Sequence, residues 1–167
     1  LSFTGDSFAH ATVSGPDLTP LIIDGDGGNP HLAELPALGS GLVIFGGLTT
    51  SNFWTPAPES LNLRANIIYY LVNTVVDRKA YVRSTVGAPW GSTSNEEAMD
   101  LEFGPGGWED LRYETVDPLV LLSPTYSFIY MEGGDNNASE LEAFLAANQA
   151  SLEAWVSAGG MLFLNAA

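Results

Sequence analysis

Four small groups of residues in this chain have the types and spacing that chemistry needs. Asp24 and Asp26 alternate with glycine in Asp24-Gly25-Asp26-Gly27-Gly28-Asn29, which is the carboxylate spacing of calcium-binding loops. Counted from Asp24, the twelfth position is Leu35 and Glu34 falls one short, so the bidentate acid that closes such a loop is missing. An acidic turn without metal is the favoured reading, with calcium the cofactor if the loop does take one. Glu132 and Asp135 flank Gly133-Gly134. They fit a metal or sugar site, or they complement the dipole of a helix that follows. Trp54, Trp90 and Trp108 sit in or beside glycine- and proline-rich stretches. Flat indoles stack on sugar faces while carboxylates accept hydroxyl hydrogen bonds, so Trp54, Trp90, Trp108, Glu132 and Asp135 form the candidate ligand set. The competing reading is that each Trp anchors a long loop to the core. Ser7, in Gly5-Asp6-Ser7, needs a histidine to take its proton and an acid to orient that histidine. His10 and His31 are the two imidazoles, and His10 is too close along an extended segment to serve Ser7 easily. No catalytic set is complete and no catalytic residue is assigned. The balance leans away from an enzyme.

Composition narrows the partners. Twenty acidic residues against five basic ones leave a net charge of −15, which repels nucleic acid and anionic membrane surfaces. The absence of cysteine removes disulfides, thiolate metal sites and thiol nucleophiles. No apolar run approaches the roughly 20 residues that span a bilayer, so no membrane insertion is expected. The sequence starts at Leu1 without Met, basic n-region or apolar h-region, so no signal peptide is expected within it. Low lysine with abundant Gly, Asn, Ser and Thr leans towards a secreted or cell-surface protein.

The elements that must position these residues are clearest at the C-terminal end. Residues 127–131 are a short apolar strand, broken by Glu132-Gly133-Gly134-Asp135-Asn136-Asn137. Ser139 with Glu142 three residues on reads as a capping box. Leu141, Phe144, Leu145, Leu152, Trp155 and Val156 then fall on one helical stripe. Gly159-Gly160 stops that helix, and residues 161–164 form the next strand, which predicts a parallel β-α-β unit. Upstream, residues 8–13 alternate and 21–23 form a short strand, while 25–30 are loop. Residues 41–46 are a buried strand. Residues 47–58 read as loop. Ser60 caps a helix with the stripe Leu61, Ala65, Ile68, Leu71, Val72 and Val75. Residues 78–86 are a strand, 87–107 a long loop and 119–122 a further apolar run. The expectation is one α/β domain over 1–167, with a flavodoxin-like, mostly parallel sheet flanked by helices. Residues 73–79 are the one place where two half-domains would join.

The unit formed by residues 127–131, Leu141, Trp155-Val156, Gly159-Gly160 and 161–164 resembles the class I glutamine amidotransferase-like superfamily, particularly its trehalose-utilisation-type branch. That resemblance places the unit in the first half of the fold. Phe8-Ala9-His10-Ala11-Thr12-Val13-Ser14-Gly15, residues 39–46 and residues 61–70 resemble the second half of the same fold, with Ala11 where proline is usual. The halves therefore stand in permuted order, as in a circular permutant, a fragment across two tandem domains, or a head-to-tail polymer whose subunits exchange halves. The family's activity rests on a Cys with His and Glu. With no Cys in the chain, the resemblance carries no amidotransferase activity. Gly5-Asp6-Ser7-Phe8 and Gly134-Asp135-Asn136 also resemble blocks of GDSL-type hydrolases, but no histidine follows His31 to complete that set. The leading functional expectation is a non-catalytic extracellular module for self-association or surface attachment. Carbohydrate binding by the loop Trp and acidic residues comes second, and a Ser hydrolase third.

Overall fold

The run Tyr-Ser-Phe-Ile-Tyr-Met is apolar on both alternating faces, the pattern of a strand covered from two sides. In the computed structural model, which describes residues 7–36, 39–72 and 77–167, it lies inside a seven-stranded sheet. The elements run β1 (Thr19–Ile23), β2 (Pro30–Pro36), β3 (Leu42–Gly46), α1 (Ala57–Val72), β4 (Arg78–Arg83), α2 (Ser94–Phe103), β5 (Glu109–Arg112), α3 (Pro118–Leu121), β6 (Tyr126–Glu132), α4 (Ala138–Ser157) and β7 (Met161–Asn165). The sheet order is β1-β2-β3-β7-β6-β4-β5. Strands from β3 to β5 pair in parallel, and β1 and β2 add an antiparallel meander to β3. The architecture is the flavodoxin-like α/β arrangement expected from the alternation of strands and helices.

Two cores lie on the two faces. Phe128 and Tyr130 of β6 join Ile44, Phe163, Leu63, Ile67, Ile68 and Met99 under α1 and α2. Ile129 and Met131 join Leu162 and the α4 residues Leu141, Phe144, Leu152, Trp155 and Val156 on the other face. The β-α-β unit of β6, α4 and β7 is as expected, including its stop. Gly159 sits at φ 113°, and a Cβ on Gly160 would overlap the Trp155 indole. That indole N–H donates to the Tyr126 carbonyl at 3.0 Å, tying the helix end to the start of β6.

Several local expectations change. Ser139 caps nothing: α4 begins at Ala138 out of a 3₁₀ turn at Asp135–Asn137, and the Ser139 hydroxyl bonds Glu140. Ser60 is likewise no cap. Helix α1 starts earlier, at Ala57, because Pro56 and Pro58 at its first turn need no N–H partner. Its buried stripe runs through Ser60, Leu63, Arg64, Ile67, Ile68 and Leu71, and Val75 lies outside the described residues. Residues 8–13 form no strand, only an isolated bridge between Ala9 and Leu48. Within the stretch 87–107, expected as loop, residues 94–103 are helix α2; its Glu, Ala, Met and Leu are good helix formers without a wide apolar stripe. Of the join expected at 73–79, residues 73–76 lie outside the described residues, and β4 begins at Arg78.

Candidate functional site

A polar residue that closes an apolar strand is forced against whatever covers the strand end. Two such residues, Glu132 at the end of β6 and Asn165 at the end of β7, are direct neighbours in register. Both are fully buried. The Asn165 amide donates to the Glu132 carboxylate at 3.0 and 3.1 Å and to the Leu48 carbonyl at 2.8 Å, and its Oδ1 accepts from the Leu48 N–H at 2.9 Å. Glu132 also accepts from the Tyr130 hydroxyl at 2.8 Å, the Gly134 N–H at 3.1 Å and the Asn95 amide at 3.3 Å.

Arg64 enters from α1 and is also fully buried. Its Nε donates to Asn95 Oδ1 at 2.8 Å, Nη1 to the Ser60 hydroxyl at 3.0 Å, and Nη2 to the carbonyls of Leu48 and Thr49. Asn95 of α2 completes the set by donating to the Tyr81 hydroxyl at 3.0 Å. One buried network thus joins α1, α2, β4, β6, β7 and the loop after β3. Burial pushes the Glu132 carboxyl up to about 7, against the field of Arg64 and the donors of Tyr130 and Asn165. Every polar group of this network meets a protein partner, which makes it a structural clamp rather than an open reaction centre.

Above the clamp lies an aromatic rim. Trp90, in a 3₁₀ turn after β4, sits at φ 59° and ψ 16°, a left-handed conformation rare for a bulky residue. Its carbonyl accepts from the Asn52 amide at 2.7 Å. Its indole nitrogen lies against Gly134, where a Cβ would overlap it, so the ring roofs the turn that follows Glu132. The His10 and Phe53 rings meet it edge-on, each with centroids 4.9 Å away. His10 is exposed and Phe53 is 43% exposed. The hydroxyls of Ser51, Ser94 and Ser92 form a chain with links of 2.6 and 2.8 Å. The indole N–H of Trp90, Asn137 Oδ1 and Thr50 Oγ1 are buried without a hydrogen-bond partner.

The structure separates the five candidate ligand residues. Trp90 and Glu132 stand at the same carboxyl end of the sheet, with Glu132 sealed beneath. Asp135 opens the turn Asp135–Asn137 at that end. Trp54 is 2% exposed and packs against Phe8 in the core, so its neighbour Phe53 takes the rim position. Trp108 leads into β5, which puts it at the amino end of the parallel strands, away from the rim. Its indole donates to Asp100 at 2.8 Å and its ring lies near Tyr81.

Asp24 spends its carboxylate on its own turn. It accepts from the Gly27 N–H at 2.6 Å and the Asn29 amide at 3.0 Å and lies 3.3 Å from His31 Nε2, and the Asn29 donor in particular holds it well below the usual carboxylate range. Asp26 is exposed, and among the described residues no group of three or more potential ligands surrounds either acid. Ser7 sits at φ 57° with its carbonyl accepting from the Thr49 hydroxyl, while the His10 ring packs on Phe53 and Trp90. Arg64, Asn95, Asn165, Phe53 and His10 are further residues at this end of the sheet, outside the candidate ligand set. A charged residue inside the apolar stripe of α1 was the available signal for Arg64. No family model, curated protein or solved structure matches this chain.

Proposed function

We propose that this chain is a non-catalytic binding module that takes neutral carbohydrate on the rim formed by Trp90, Phe53 and His10. Trp90 carries the reading. Holding a bulky residue at positive φ costs on the order of 1–3 kcal/mol, and such strain collects at ligand-holding positions. The strained residue here is an aromatic whose N–H has no partner, beside an exposed Phe and His at the carboxyl end of parallel strands. An aromatic platform with an exposed Phe and His beside it suits the apolar face of a polyhydroxylated ring. The ligand class fits a secreted or cell-surface setting. Screening on an immobilised glycan array, followed by titration of the best hit, should show Trp90→Ala and Phe53→Ala each weakening binding about tenfold, the loss expected for one aromatic contact. Trp108→Phe should bind as wild type. An array without hits, or a Trp90→Ala protein that binds normally, would sink the reading.

A second reading, self-association, rests on the sheet edges. Strand β1 carries no charge and exposes Leu21 at 42% and Ile23 at 57%. The opposite edge strand, β5, is guarded by Glu109, Asp110 and Arg112. If β1 pairs with another copy, Ile23→Lys should convert assemblies seen by light scattering and electron microscopy into monomers. A wild-type protein that stays monomeric at every salt concentration would exclude this.

A further inference from the structure

We propose that the groove between α4 and the β2–β3 side of the sheet docks an amphipathic helix from another protein, with lysine or arginine on its flanks. The groove has a volume of about 560 Å³. Its floor is Leu35 of β2, Val43 and Phe45 of β3, and Leu164 of β7. Leu145, Leu152 and Val156 of α4 form the apolar wall, and Leu35, Phe45, Leu145 and Leu164 stay half-buried.

The shape of the gap follows from how the helices are distributed. On the other face, α1 reaches as far as β2, where the Tyr70 hydroxyl donates to Glu34 at 3.0 Å. On this face α4 packs over β6 and β7, and among the described residues it is the helix that borders the groove. Two neighbouring strands span roughly 10 Å, about the width of one helix with its side chains. The uncovered strip is therefore one helix wide, and it lies where the antiparallel β1–β2 meander joins the parallel part of the sheet.

Charge selects the occupant. Glu142, Gln149 and Glu153, all exposed, line the open side of the groove along α4. A second copy of the chain has few cations to set against them. Its Arg64 is buried, Arg78 is paired with Glu109, Arg83 with Glu96 and Asp110, Arg112 with Asp110, and Lys79 lies over the Phe103 ring. With a net charge of −15, two copies also repel. A fatty acid would bring its carboxylate to the same acids. A helix with an apolar stripe and basic flanks meets both the floor and the rim.

Three fluorescein-labelled helical peptides of about 14 residues, sharing one Leu/Ala stripe and differing only in Lys, Gln or Glu flanks, test this by fluorescence anisotropy. The Lys-flanked peptide should bind at least about tenfold more tightly than the Glu-flanked one in low salt, and the difference should shrink as salt rises. Leu145→Asp should abolish binding. The double charge swap Glu142→Lys with Glu153→Lys changes only exposed positions and should reverse the flank preference, so the answer does not depend on Leu145→Asp folding. Equal affinity for all three peptides, no binding at all, or an unreversed preference in the charge swap would overturn the proposal. So would a wild-type dimer that Leu145→Asp disperses, since a second copy would then fill the groove.

Discussion

Replacing Glu132 by glutamine should raise stability at about pH 8 by up to ~3 kcal/mol and leave it nearly unchanged at about pH 4. The buried carboxyl is pushed from the ordinary 4.5 up to about 7, so between those values the folded protein holds a proton that the unfolded chain has released. Its stabilising contribution is complete below about pH 4.5 and is lost as pH rises through about 7. At roughly 1.4 kcal/mol per tenfold in proton concentration, that gap amounts to about 3 kcal/mol.

The network accepts the neutral form without breaking. A protonated Oε2 donates to the Tyr130 oxygen, Tyr130 donates to Asn95 Oδ1 at 2.8 Å, and Asn95 still donates to Tyr81. Glutamine at 132 keeps the oxygen that accepts from Gly134 and Asn165 and an N–H aimed at Tyr130, but it gives up the contacts that the Asn165 and Asn95 amides make to Oε2, which takes part of the gain back. Asp24, Glu109 and Glu114 are held below the ordinary range instead. Asn29 does this for Asp24 and Arg78 for Glu109, while for Glu114 the Ser84 and Thr85 donors overcome burial. Their contributions are lost only in acid, as pH falls below about 4.5. Burial raises Glu96 and Glu102 in the same direction as Glu132, but both are present in wild type and variant, so the difference between the two proteins isolates Glu132. Urea unfolding of both proteins at several pH values between about 4 and 8 measures the difference directly. Parallel pH profiles for wild type and Glu132→Gln would refute the assignment.

The largest loss is expected from Arg64→Met, about 3–5 kcal/mol at neutral pH. Methionine keeps most of the volume but leaves the Thr49 carbonyl and the Ser60 hydroxyl without the donors that Arg64 supplied. It also removes the one charge whose field favours ionised Glu132. The two substitutions should therefore couple. Arg64→Met in a Glu132→Gln background should cost at least about 1 kcal/mol less than alone, a difference that a double-mutant cycle in urea resolves. Strict additivity would mean that Arg64 acts only through its hydrogen bonds to the loop and α1, with no electrostatic share in the carboxylate.

The same network explains why half of the site was hidden in the sequence. Glu132 was legible as an acid at a strand end beside glycines, and Trp90 as an aromatic in a long loop. Their partners are far away in the chain: Asn165 lies 33 residues from Glu132, and Asn95 lies 31 from Arg64. No local pattern announces a hydrogen bond at that separation. The exchange of Trp54 for Phe53 on the rim is a matter of one residue in a loop, where no periodicity says which side chain turns inward. Trp108 was misplaced for a topological reason: a residue that leads into a parallel strand stands at the opposite end of the sheet from one that follows it.

Strand β6, helix α4 and strand β7 could be read from one end of the chain to the other, because their signals are local: an apolar run, an amphipathic stripe, a Gly-Gly stop. Their parallel pairing follows from connectivity alone. Strand β5 shows the limit. Glu-Asp-Leu-Arg has no strand pattern, and it becomes one by pairing with β4 while Arg78, Arg83 and Arg112 neutralise its acids. Helix α2 became helical against α1, not through a stripe of its own. Composition and period therefore specify the elements that bury a face by themselves. Edge strands, strained turns and buried polar clusters draw their stability from partners brought together only when the chain folds.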